Sequence, residues 1–355
     1  MENNFHEALQ SVQTNIGREL QVDQEALKKD YFNDRQEQSM TIKVLSILGG
    51  ILASVAFVGF IFITRLNANS IFMSILSGLF FVTSIAMNKR FDKVILDTIS
   101  VCMYLLSFAS LGIVFDELNR SSTIPYFCFL GLALLTILIS RSYILTFVAT
   151  LITTGSLLAI FFTKELAELN HVLLVSLAAI IIYFTFNEGK LMKIKSLQGK
   201  RYLALRTGLV FSFMICLYYT SEPTFIIDAW LIDWITSGIF IGMILWLINC
   251  LLNRFLCEET GKKIFISLLI LICLGFTAMN PAISGSLFLL LISFKVNYKT
   301  GISLGVLAFI YFIGLFYYDL DLSLLKKSIA MFVSGVFFLL LYFVIFKKSN
   351  SHEKV

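Results

Sequence analysis

Charge and proline are scarce in this chain. Charged residues make up 14% of its 355 positions, prolines number three, and mean hydropathy is +0.85, whereas soluble domains carry roughly a quarter charged residues. So few charges cannot wet a soluble surface, and the lipid bilayer is the solvent this composition implies. Chemistry-bearing motifs are missing too. His6, His171 and His352 lie far apart in different loops or tails, with no metal-ligand spacing. No Walker-type glycine loop, G-x-S-x-G elbow or H-E-x-x-H pair occurs, which leaves nucleotide-driven, hydrolytic and zinc chemistry unsupported and implies no cofactor. An intramembrane transferase without such a signature is the enzymatic option left. The cysteines, Cys102, Cys128, Cys216, Cys250, Cys257 and Cys273, sit within or at the ends of apolar runs without a C-x-x-C pair, so a disulfide framework is not expected.

What the chain has is apolar runs. Twelve are counted, at 44–64, 70–87, 94–114, 124–140, 142–162, 170–186, 202–220, 230–252, 264–279, 281–294, 300–318 and 322–346. The fold expected is all-α, a polytopic transmembrane helical bundle of about 12 spans. The ninth and tenth runs rise only about 24 and 21 Å as helices, short of a hydrocarbon core of about 30 Å. They meet at Asn280-Pro281, as a tight hairpin, a re-entrant pair or one broken helix near a cavity. Ahead of the runs, residues 1–43 lack the apolar core of a secretory signal peptide and carry an apolar stripe at Phe5, Leu9, Val12, Ile16 and Leu20. With a second helix after Asp23, this reads as a cytoplasmic helical segment, lying on the membrane or docking a soluble partner. Residues 347–355 form a short tail.

The basic residues give the orientation. With the N-terminus inside, the segments on that side hold 22 of the 28 lysines and arginines, while Arg65, Arg120, Lys164, Lys326 and Lys327 lie outside and Arg206 lies within a span. That imbalance makes both termini cytoplasmic. The net charge of +5 therefore sets topology, and no nucleic-acid partner is expected. The small-residue pairs Gly49 with Ala53, Gly50 with Ser54, Gly238 with Gly242 and Gly301 with Gly305 read as places where helices approach closely.

Ionisable residues inside apolar runs are the candidate functional groups, because a charge at the centre of a span costs about 2.5 to 3.5 kcal/mol on insertion scales. Asp97 and Arg206 lie at matching depth near the inner ends of their spans and form a candidate pair, unless each reaches the headgroups by itself. At the outer face Asp233 matches Lys327 in depth, with Asp228, Asp319 and Asp321 nearer the surface and Lys326 and Ser328 beside Lys327. This group is either a wet vestibule that passes protons or binds an anion, or an ion lock between two spans. Asp319 or Asp321 also suits the N-cap of the last helix.

The run Ile47-Leu48-Gly49-Gly50-Ile51-Leu52-Ala53, then Asn280-Pro281, then Tyr317-Tyr318-Asp319-Leu320 leading into Leu324-Leu325-Lys326-Lys327-Ser328 and Gly335, resembles a bacterial membrane-protein family defined as domain of unknown function 4401, over residues 44–346. On that match Lys327 and Ser328 correspond to the family's lysine and serine, with Lys326 the variable position. The resemblance implies the bacterial cytoplasmic membrane and no particular activity. It also suggests a small envelope protein with a Gly-Asp-Tyr motif as partner; the motif is not in this chain.

Two functions follow from the residues. One is a small-solute or proton-coupled transporter with an outer vestibule near spans 8 and 12, its substrate unspecified. The other is a non-catalytic scaffold that holds an envelope partner through acidic outer loops.

Overall fold

The computed structural model describes residues 70–90, 94–118, 123–140, 142–193, 199–221, 230–255 and 274–319, with scattered helical positions in 49–63, 267–271 and 325–339. Among the described residues every regular element is helical. The helices are α1 (Ser70–Arg90), α2 (Val94–Glu117), α3 (Ile124–Ile139), α4 (Tyr143–Thr163), α5 (Leu169–Phe186), α6 (Lys200–Ser221), α7 (Trp230–Phe255), α8 (Pro281–Lys295) and α9 (Lys299–Asp319). A single helical turn, Glu188–Leu191, follows α5, and a 3-10 turn, Phe276–Met279, precedes α8. Seven of the helices contain stretches long and apolar enough to cross a membrane, and α3 and α8 are shorter apolar helices. The N-terminal segment 1–43 and the tail 347–355 lie outside the described residues, as do most of the first and last apolar runs.

The surface chemistry is that of a protein in oil. On α1, Ile71, Ile75, Leu79 and Val82 share one face and are more than half exposed, while serines and threonines are buried inside. A water-soluble helix would have the reverse. Without water, each hydroxyl must find an acceptor in the protein. Thr136, Thr150, Thr153, Thr163, Thr207 and Thr220 do so by donating to the carbonyl four residues back, at 2.7–3.0 Å.

The chain divides into two compact units, Met1–Arg120 with Leu138–Leu145, and Ser121–Ile137 with Thr146–Val355. In the first, α1 and α2 pair through serines. Ser84 and Ser100 donate to each other's carbonyls at 2.7 and 2.8 Å, and Ser77 donates to the Ser107 carbonyl at 2.9 Å. Hydroxyls this small let the two backbones come together.

In the second unit α5 runs antiparallel to α6 and parallel to α7. Asn170 at the start of α5 donates to the Cys216 carbonyl near the end of α6 (3.2 Å), whereas Tyr202 at the start of α6 donates to Phe184 near the end of α5 (2.9 Å). Phe186 packs on Trp246 of α7 at 5.1 Å. The core is pinned by Phe213, Phe240 and Phe288, one ring each from α6, α7 and α8, whose centroids lie 5.8–6.0 Å apart. The helical path breaks at Asn280, which takes an extended conformation (φ −136°, ψ 109°) and caps α8 by accepting from Ala282 N, with Pro281 in the first turn. The expected interruption at Asn280-Pro281 is therefore a capped helix start.

The glycine pairs part company. A Cβ on Gly305 would come within 2.9 Å of Leu290 Cα, so α8 and α9 touch there, but one on Gly238 or Gly242 would meet nothing within 4 Å. The second pair faces open space rather than a packed helix.

Candidate functional site

Helix α5 carries an ionisable cluster at each end, both within the second unit. From residue 171 to residue 186 the helix rises about 22 Å at 1.5 Å per residue, most of a hydrocarbon thickness.

At the start of α5, His171 faces α7. Its Nε2 lies 3.6 Å from Asp233 Oδ1, and its Nδ1 lies 3.1 Å from Thr236 Oγ1. Asp233 and Thr236 are three residues apart on α7, so one face presents both to one imidazole. The Thr236 hydroxyl also lies 2.8 Å from the Ile232 carbonyl. With its proton there, Nδ1 carries the ring hydrogen, and with the hydroxyl turned to Nδ1 the ring hydrogen sits on Nε2, facing Asp233. A protonated imidazole carries a hydrogen on both nitrogens and turns a charged donor toward the carboxylate. The side chains are 13% and 24% exposed, so solvent reaches this place only partly. Glu168, one turn earlier, adds another carboxylate to the field around the ring.

At the other end sits Arg206 of α6, 8% exposed. Its Nη1 lies 3.5 Å from Glu188 Oε2, and its guanidinium lies over the Tyr298 ring at 4.0 Å. Arg206 is also hydrogen bonded to the Tyr202 phenol, which passes its own proton to the Phe184 carbonyl. Tyr298 belongs to the turn between α8 and α9, closed by Tyr298 N donating to Ser293 O (2.9 Å), and its hydroxyl is 3.0 Å from Thr207 Oγ1. Lys295, at the end of α8, places Nζ 4.0 Å over the Phe186 ring and 5.8 Å from Trp246.

Of the residues singled out in the sequence, Asp233 and Arg206 fall in these clusters. Asp97 belongs to the first unit, where its Oδ1 accepts from Asn88 Nδ2 at 3.2 Å. The Asn88 Oδ1 in turn accepts from Ser140 Oγ and Ser142 N. Asp97 thus meets an amide there, and Arg206 meets Glu188 and two tyrosines. Ser328 is helical and exposed. Asp228, Asp321, Lys326 and Lys327 lie outside the described residues, and Asp319 closes α9 with its side chain outside them.

His171, Glu188, Lys295 and Tyr298 are the residues that sequence reasoning did not single out. By sequence His171 reads as a loop residue, and the structure places it in the first turn of α5; depth could have shown this, since it lies one residue into the run 170–186 and Asp233 three residues into the run 230–252, which crosses in the same direction. Glu188 and Arg206 flank one loop, which already puts them at one membrane face. The cation–aromatic contacts of Lys295 and Tyr298 leave no such trace, because aromatic residues near span ends are ordinary.

The family model described as Domain of unknown function (DUF4401) matches residues 39–348. No curated protein and no solved structure matches the chain.

Proposed function

The chain belongs to the domain of unknown function 4401 family, which brings no activity with it, and on that footing we propose that it is a proton-coupled transporter of small solutes. In this reading twelve spans cross the bacterial cytoplasmic membrane with both termini in the cytoplasm. His171 and Asp233 then lie near the outer face and Arg206 near the inner one. The observation that carries the reading is the His171–Asp233 dyad, two groups able to take up a proton, 3.6 Å apart between two apolar helices. Ionisable groups at membrane depth are costly and mark ion or proton paths. The pair answers to one proton by changing the attraction between α5 and α7, which is how a bound proton biases a conformational equilibrium. By sequence position Asp228, Asp319, Asp321, Lys326, Lys327 and Ser328 belong to the same outer end of the spans in this reading.

The test is proton entry into proteoliposomes, driven by a potassium diffusion potential and read by an internal pH dye. Wild-type protein should admit protons above the protein-free background. Asp233→Asn and His171→Gln should bring entry down to that background while the protein elutes as the wild type does, and Lys327→Met should lower it. Undiminished entry in Asp233→Asn contradicts the proposal. So does a fold that collapses in either single variant and is restored in His171→Leu with Asp233→Leu, because that result makes the pair a structural lock and favours the scaffold.

A further inference from the structure

We infer that the corner formed by Arg206, Lys295 and Tyr298 is a binding site for a phosphate group. The inference concerns the opposite end of α5 from the dyad and does not depend on transport. It starts from a mismatch between donors and acceptors. A guanidinium carries five N–H donors in a planar fork, and Arg206 is buried rather than extended to solvent. Among the described residues it meets one carboxylate oxygen at 3.5 Å, beyond the 2.7–2.9 Å of a charge-assisted hydrogen bond, and one phenol. Tyr298 covers the face of the fork and leaves its edge. Such a fork suits two oxygens of one phosphate.

The second cation points the same way. Among the described residues Lys295 rests its ammonium on Phe186 and Trp246, a contact that leaves its N–H donors able to turn to an anion. Exposed lysines flank these residues in sequence, Lys190 and Lys193 after Glu188 and Lys299 after Lys295. Among the described residues the acid beside Arg206 is Glu188, partly exposed, and its long contact with the guanidinium makes it replaceable.

Position narrows the ligand further. The apolar stretches of α5, α6 and α9 end or begin at Phe186, Arg201 and Lys299, which puts the corner at the level of lipid headgroups. The phosphate is therefore either the phosphodiester of an anionic lipid or a soluble phosphate compound; both present the same oxygens to Arg206.

The experiment uses full-length protein in detergent, stripped of lipid and titrated with short-chain phosphatidylglycerol or with inorganic phosphate, each against a matched chloride control. Tryptophan fluorescence is the readout, since Trp246 lies beside Lys295. A saturable change is expected, with apparent affinity at least tenfold weaker in Arg206→Lys, which keeps the charge and loses the fork, and severalfold weaker in Lys295→Gln. Saturation with lipid alone assigns the site to a headgroup, and saturation with inorganic phosphate assigns it to a soluble compound. No saturable response to either ligand overturns the inference, as do wild-type affinities in both variants. Should Arg206→Lys fail to fold, the Lys295→Gln titration decides by itself.

Discussion

The chemistry of the dyad turns on a hydroxyl that is not itself ionisable. The Thr236 hydroxyl holds the imidazole at Nδ1, and that contact aims Nε2 at Asp233. Thr236→Ser keeps the hydroxyl, whereas Thr236→Val removes it and frees the ring to turn away. Proton entry should stay near wild type in the serine variant and fall about a hundredfold in the valine variant, the lower end of what a positioned acid or base contributes; equal rates in the two would show that the hydroxyl has no part. Asp233 was visible in the sequence because an acid inside an apolar run is rare and expensive. His171 was passed over because it sits at the very edge of its apolar run, where it reads as a loop residue with no metal-ligand spacing. Arg206 stood out for its charge, but its partners did not, since a guanidinium beside one distant carboxylate and a tyrosine ring has no spacing rule to betray it.

Helices in lipid gain nothing from hiding apolar surface from each other, so contact between them rests on close fit and a few polar bonds. The α8–α9 contact shows this at Gly305, where a side chain would run into the backbone of Leu290. Gly305→Val should destabilise the protein by about 1–3 kcal/mol through overpacking, while Gly242→Val, in open space, should leave thermal unfolding in detergent unchanged; equal effects would contradict the assignment of the two glycines. Both residues belong to four-residue pairs that look alike on paper. Sequence spacing shows that two small residues share a helix face, but whether that face meets protein or lipid depends on partners remote in the chain. Element bounds were far more legible: the run 170–186 became Leu169–Phe186, and 281–294 became Pro281–Lys295, because the stretch of chain that lipid accepts is set by hydropathy residue by residue. The break at Asn280 was also written in the sequence, by a capping amide followed by proline.

At the scale of the molecule, exposed leucines and isoleucines outside and hydroxyls inside identify a membrane-embedded protein, with seven helices among the described residues able to cross. The proposed direction rests on the distribution of lysine and arginine, not on the fold, and in that proposal the dyad and the phosphate corner lie at opposite faces. Neither face could be read from helix packing, since a bundle packs equally well either way up. The residues to probe are Lys164, exposed in the turn before α5, and Lys193, exposed beyond its far end. In a variant lacking the native cysteines, Lys164→Cys should react with a membrane-impermeant maleimide on intact cells, whereas Lys193→Cys should react only after the cells are permeabilised. Labelling of both from the same side would contradict the account, because α5 would then not carry one cluster to each face of the membrane.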